Sequence, residues 1–69
     1  MLMIIQISKH AKEKMDVEGI DEGQIRRAIM HGSLSRQTNG YLATYTYIKV
    51  AFKRKGEVYR IKIVFVDKR

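Results

Sequence analysis

The spacing of apolar residues along the chain changes near its midpoint. Before Gly32, apolar residues recur three and four positions apart, which is the spacing of a helix with one buried side. From Leu34 onward, apolar and polar residues tend to alternate, which is typical of β-strands with one face in the core. The pattern therefore predicts helices in the first half and a β-meander in the second.

The first helix is predicted to start at Ser8 and to run to about Val17. The Ser8 hydroxyl can accept a hydrogen bond from the first turn, as N-capping residues do. Ala11 and Met15 stand four apart and share the side that faces the core. Gly19 suits a left-handed turn after the helix.

The second helix is predicted to begin at Asp21 and to stop at Gly32. Asp21 with Gln24 three residues later has the form of a capping box. The buried side is predicted from three apolar residues with helical spacing, Ile25, Ala28 and Ile29.

Turn residues divide the rest of the chain into strands. The apolar run Met1 to Ile7 is predicted to be a buried strand. Asn39-Gly40 and Lys55-Gly56 are predicted to be two-residue hairpin loops. Between them, Tyr41 to Arg54 is long enough to bend or break near its middle, and Glu57 to Val66 is the last strand.

These elements predict a single α+β domain spanning 1–69. The expected order is β-α-α-β-β-β, with two N-terminal helices on one face of an antiparallel sheet. A chain of 69 residues without cysteine buries a small core and has no disulfide to reinforce it. We therefore expect a homodimer or a complex with a partner.

A loop at Lys55-Gly56 sets the register of the last hairpin. It places Phe52 opposite Tyr59 and leaves one face almost wholly apolar, which we expect to pack on the helices. The other face is predicted to place Lys49 directly opposite Lys62. The same face is predicted to carry Tyr45, Tyr47, Ala51, Lys53, Val58, Arg60, Val64 and Val66.

The charge of the chain favours an anionic partner. Its 14 Lys and Arg against 7 Asp and Glu give a formal net charge of +7. Like charges directly opposite each other on a sheet are destabilising, and an anionic ligand relieves the repulsion. The residues predicted to bind nucleic acid, RNA in the first place, are Lys14, Tyr45, Tyr47, Lys49, Lys53, Arg60 and Lys62.

Two other interpretations of this face remain open. Lysine stems can cover a sheet with no ligand. The patch of Tyr45, Tyr47, Val64 and Val66 is also suited to contact between proteins, either in a homodimer or with an acidic partner. The alternative to an RNA-binding protein is thus a protein-interaction module without chemistry.

Metal-independent cleavage of RNA needs an acid, a base and cations beside the phosphorus. An imidazole titrates near neutral pH, so His10 is the candidate acid or base, although a surface histidine is more often simply solvated. Lys49, Arg60 and Lys62 complete the predicted catalytic set, with Tyr47 beside them. Motifs for a cofactor or a metal site are absent from the sequence, so neither is predicted.

The helical half resembles a known family. The run Ser8-Lys9-His10-Ala11, followed by Lys14-Met15 and Gly19-Ile20, is similar to the His-Ala-x-x-Arg-Met-x-x-Arg-Gly-Ile pattern of small domains of unknown function. That family looks related to the BrnT and RelE toxins, small RNases of toxin–antitoxin pairs in the barnase–colicin–RelE group. The resemblance implies helices on an antiparallel sheet, RNA on the open sheet face, and an acidic antitoxin-like partner.

The chain departs from this pattern at two positions. Lys14 stands where the family has its first Arg, so the charge is kept but the planar fork is lost. Glu18 stands where the family has its second Arg, which reverses the charge. With no signal-peptide pattern and no apolar stretch of membrane-spanning length, we expect a cytoplasmic protein that has no membrane partner.

Overall fold

The computed structural model describes residues 2–67, within which two helices and five strands form an α+β fold. The helices are α1 (Lys9–Glu18) and α2 (Glu22–His31). The strands are β1 (Ile4–Ile7), β2 (Ser33–Gln37), β3 (Gly40–Tyr45), β4 (Ile48–Lys55) and β5 (Val58–Val66).

The five strands form one mixed sheet in the order β1-β5-β4-β3-β2. Strands β2 to β5 pair with one another in antiparallel fashion, as predicted, but β1 pairs with β5 in parallel, with Ile7 opposite Ile61. The prediction of a wholly antiparallel sheet was therefore wrong. Apolar periodicity fixes which side of a strand is buried but not which way the strand runs, and the long connection from β1 to β5 permits either direction.

The ends of both helices are as predicted. The Ser8 hydroxyl accepts from the Ala11 backbone N–H at 3.1 Å, and Gly19 ends α1 in the left-handed region at φ 71°. At the start of α2, Asp21 and Gln24 form both hydrogen bonds of the capping box. These short-range devices account for where the helices begin and end.

The core lies between the helices and one face of the sheet. Ala11 and Met15 of α1 are buried, and so is the predicted side of α2. The described chain has no buried polar or charged residue in this layer. The sheet contributes Ala43, Ile48, Val50, Phe52, Tyr59, Ile61 and Val64. We call the opposite face of the sheet, which no helix covers, the open face.

Strand β1 is only half-buried, because it forms an edge of the sheet. Ile5 and Ile7 pack against the core, whereas Ile4 is 42% exposed. Met1, the first residue of the predicted strand, lies outside the described residues.

The long predicted strand breaks at Thr46 and Tyr47, which form a two-residue turn between β3 and β4. Thr46 has φ 54°, the only positive φ of a non-glycine residue in the described chain. The length of the segment predicted a break near its middle, which the structure confirms, but a β-branched residue is uncommon at positive φ, so the sequence did not indicate which residues form the turn. The break adds one strand to the predicted order.

Both hairpin loops lie one residue away from their predicted positions. The loops are Thr38–Asn39 and Gly56–Glu57. In the second loop only Gly56 has a positive φ, 61°. A loop at Lys55-Gly56 of the Asn-Gly class would have required a positive φ at Lys55 as well. Starting the loop at glycine avoids that strain and shifts the register of the last hairpin.

A β-bulge changes the register again within β5. Phe52 pairs with Ile61, but the next residue of β4, Ala51, pairs with Ile63, so Lys62 is the extra residue. Beyond the bulge, Val64 points into the core and is fully buried, while Phe65 is 45% exposed on the open face. The sequence had predicted the reverse for both residues.

Gly40 is required where β3 passes close to β4. Its φ is 143°, and a Cβ added there would collide with the carbonyl oxygen of Phe52. We expect Gly40→Ala to destabilise the fold by about 3 kcal/mol, through backbone strain and displacement of β4. At Gly56, where a Cβ meets nothing within 4 Å, alanine should cost about 1–2 kcal/mol. Urea unfolding measures both variants, and equal losses would contradict the close approach.

No helix in residues 2–67 combines the length and the apolar composition needed to cross a membrane.

Candidate nucleic-acid interface on the open sheet face

A cross-strand pair of like charges does lie on the open face, but it consists of different residues from those predicted. Lys53 of β4 stands directly opposite Arg60 of β5. Lys49 instead stands opposite Phe65, and Lys62 is the bulged residue. The predicted pairing of Lys49 with Lys62 was wrong because it assumed a loop one residue earlier and a strand without a bulge.

Four cations gather at the hairpin end of this face. Lys53 and Lys55 alternate along β4, and Arg60 and Lys62 follow along β5, so we call these four residues the basic cluster. All four are exposed, and none forms an ion pair with an acid of residues 2–67. Opposed like charges on neighbouring strands repel each other, and nothing in the described chain neutralises them.

A groove runs beside the basic cluster. It has a volume of about 640 Å³, and its lining includes Lys53, Arg54, Lys55 and Arg60. The β2–β3 loop, Thr38–Asn39, also lines it. Gln6 of β1 stands opposite Arg60 and adds an amide to the lining. The groove thus combines free cations with neutral hydrogen-bonding groups, and has no acidic lining.

Lys62 connects β5 to this loop across the open face. Its Nζ donates to the backbone carbonyl of Asn39 at 3.2 Å, beside the small side chain of Ala51. The bond satisfies one of the three ammonium donors and leaves the charge without an acidic partner among residues 2–67. Lys62 therefore holds the β2–β3 loop, which lines the groove, and places a further positive charge beside it.

Lys49 lies at the other end of the open face, away from the basic cluster. Its Nζ is 3.8 Å from a carboxylate oxygen of Asp67, with both side chains about two-fifths exposed. A pair of this exposure contributes little to stability, but it places an acid beside the cation. Lys49 is thus less suited to phosphate than the sequence had suggested.

The predicted tyrosines are not on the open face. Tyr45 packs against the core on the helix side, where it stands opposite Ile48. Tyr47 lies in the β3–β4 turn and is 51% exposed. The predicted patch does not form, because Val64 and Val66 also pack on the helix side.

The two predicted helix residues lie on α1 and are not part of the basic cluster. His10 is exposed in the first turn of α1, and no contact joins it to a cation of the sheet in the described chain. Lys14 forms an ion pair with Glu18 at 3.4 Å along the same helix. The structure therefore places Arg60 and Lys62 of the predicted catalytic set in the basic cluster, His10 on α1, and Lys49 at the other end of the open face.

Sequence reasoning missed Lys55 and Phe65 as residues of this face. Lys55 was assigned to the loop, whereas the structure makes it the last residue of β4. Phe65 was assigned to the core by extending a regular register. The run of four apolar residues from 63 to 66 interrupts the alternation and was the available signal that β5 changes phase after Lys62.

Comparison of this chain with models of known families, with curated proteins and with solved structures found no match.

Proposed function

We propose that this protein binds RNA on the open face, with the basic cluster holding the phosphates. The observation that carries the proposal is the directly opposed pair of Lys53 and Arg60, which no acid of residues 2–67 neutralises. Bringing a phosphate to such a pair exchanges repulsion for two charge-assisted contacts.

The shape of the face supports the same proposal. The groove beside the basic cluster holds about 640 Å³, enough for a phosphate and its sugar, and its lining includes Lys53, Lys55 and Arg60. Arg60 offers a planar fork that suits phosphate oxygens, and the lysines act as point charges around it. The resemblance of the helices to toxin-like domains implies an RNA ligand on the same face of the sheet.

The proposal is binding, and cleavage is not part of it. The candidate acid or base, His10, belongs to the helical layer, while Arg60 and Lys62 belong to the basic cluster on the open face. General acid–base catalysis requires its groups within hydrogen-bond reach of the same phosphate. His10→Ala is therefore a useful control, which we expect to leave RNA affinity unchanged.

Salt dependence tests the proposal directly. If the four cations of the basic cluster engage phosphates, log K for a single-stranded RNA oligonucleotide should fall with log salt at a slope of about −3. Fluorescence anisotropy with a labelled oligonucleotide, titrated at several concentrations of KCl, gives this slope.

Two results would count against RNA binding. A flat salt response means that phosphates are not the groups recognised, and no binding at low salt removes the proposal altogether. Polyglutamate in the same assay distinguishes the alternative, because binding to it without binding to RNA would indicate an acidic protein partner.

A further inference from the structure

Beyond the basic cluster, the open face carries a row of apolar side chains. Leu42 of β3, Ala51 of β4 and Ile63 of β5 are directly in register and form a row across three strands. All three are partly exposed, and no helix of residues 2–67 covers them. Phe65 stands two residues further along β5 and is 45% exposed. We call these four residues the apolar row.

A shallow hollow of about 380 Å³ lies beside the Phe65 ring. Leu42 and the stem of Lys49 line it, together with Val66 and Asp67. The hollow is thus bordered by an aromatic ring, an aliphatic side chain and two side chains with polar ends. A planar ring with polar edges is better suited to this lining than an aliphatic chain, because the ring can stack on Phe65 while its edges meet the polar side chains.

The apolar row and the basic cluster follow each other along the same strands. Arg60 and Phe65 are both on the open face of β5, and the rise of a strand separates them by roughly 13–16 Å. A short extended single strand spans this distance, with its phosphates at one end and an unstacked base at the other.

We infer that the apolar row is a base-binding subsite, in which a nucleobase of the bound strand stacks on Phe65. The inference rests on the proposed function and makes it more specific, because the bases of a duplex are already stacked on each other and only their edges are accessible. The ligand is therefore single-stranded RNA, held by phosphates at the basic cluster and by a base at Phe65.

The test uses a single-stranded RNA of about eight nucleotides that carries 2-aminopurine, whose fluorescence is quenched when the base stacks. Binding to the wild-type protein should quench the fluorescence. Phe65→Leu should abolish most of the quenching and weaken binding about 10-fold, with the salt slope unchanged because no phosphate contact is lost. Phe65→Tyr, which keeps a ring, should behave like the wild type.

The controls separate this inference from the proposed function. Leu34→Ala removes an exposed apolar side chain from the helix side of β2 and should change neither signal. Salt-dependent binding without quenching, or equal affinity for the same sequence as a duplex, would overturn the base subsite and leave the proposed function intact. An effect of Phe65→Leu on self-association, with RNA binding unchanged, would overturn it in favour of a protein contact.

Discussion

The double variant Lys53→Ala/Arg60→Ala is expected to bind single-stranded RNA roughly 60-fold more weakly in about 50 mM salt. Each phosphate contact on a single strand contributes about 0.7 to the salt slope, so the loss of two contacts should also reduce the slope by about 1.4. Anisotropy titrations at several salt concentrations measure both quantities. The same substitution removes a repulsive pair, so the free energy of unfolding should stay level or rise by a few tenths of a kcal/mol.

The matched control removes two charges elsewhere. Arg26 and Arg27 are exposed on α2, on the helical side of the molecule. Arg26→Ala/Arg27→Ala changes the net charge by the same amount but touches no residue of the basic cluster. If both double variants weakened RNA binding equally, the effect would come from total charge and the open face would not be the site.

Val64→Lys is expected to unfold the protein. Val64 is fully buried opposite Val50, and an unpaired ammonium there should cost more than about 4 kcal/mol. Chains of this size rarely hold more than about 3–5 kcal/mol from a single core. Circular dichroism at 25 °C should therefore show loss of the native signal.

Phe65→Lys tests the same bulge at the next residue of β5, whose side chain lies on the open face. The Phe65 side chain is 45% exposed on the open face, so lysine there should change the free energy of unfolding by about 1 kcal/mol or less. A regular register without the bulge at Lys62 would reverse the order of the two variants. A folded Val64→Lys protein beside an unfolded Phe65→Lys protein would thus disprove the phase change in β5.

The parts of this fold that depend on near neighbours in the sequence were predictable. The Ser8 cap, the Asp21–Gln24 capping box and the buried side of α2 involve residues three or four apart, and the structure confirms them. The faces of Lys53 and Arg60 were also predicted, because moving the loop kept their alternation with buried neighbours.

The parts that depend on distant residues were not predictable in the same way. The bulge at Lys62 brings Val64 opposite Val50. This pairing depends on how side chains from different strands pack together in the assembled core. The hairpin uses Gly56-Glu57 as its loop because only Gly56 then needs a positive φ, whereas a loop at Lys55-Gly56 would need one at Lys55 as well. Moving the loop by one residue shifts the pairing by two residues, which keeps the faces as far as the bulge but changes every pair. The cations were therefore placed on the open face with the wrong partners.

The parallel pairing of β1 with β5 has a consequence for synthesis on the ribosome. The Ser8 hydroxyl, just after β1, donates to the carbonyl of Lys62, which lies 54 positions further along the chain. Ile5 and Ile7 therefore emerge from the ribosome long before the strand that pairs with β1, and they remain accessible to chaperones until β5 has been synthesised. The domain closes as a late event, when its last strand joins its first.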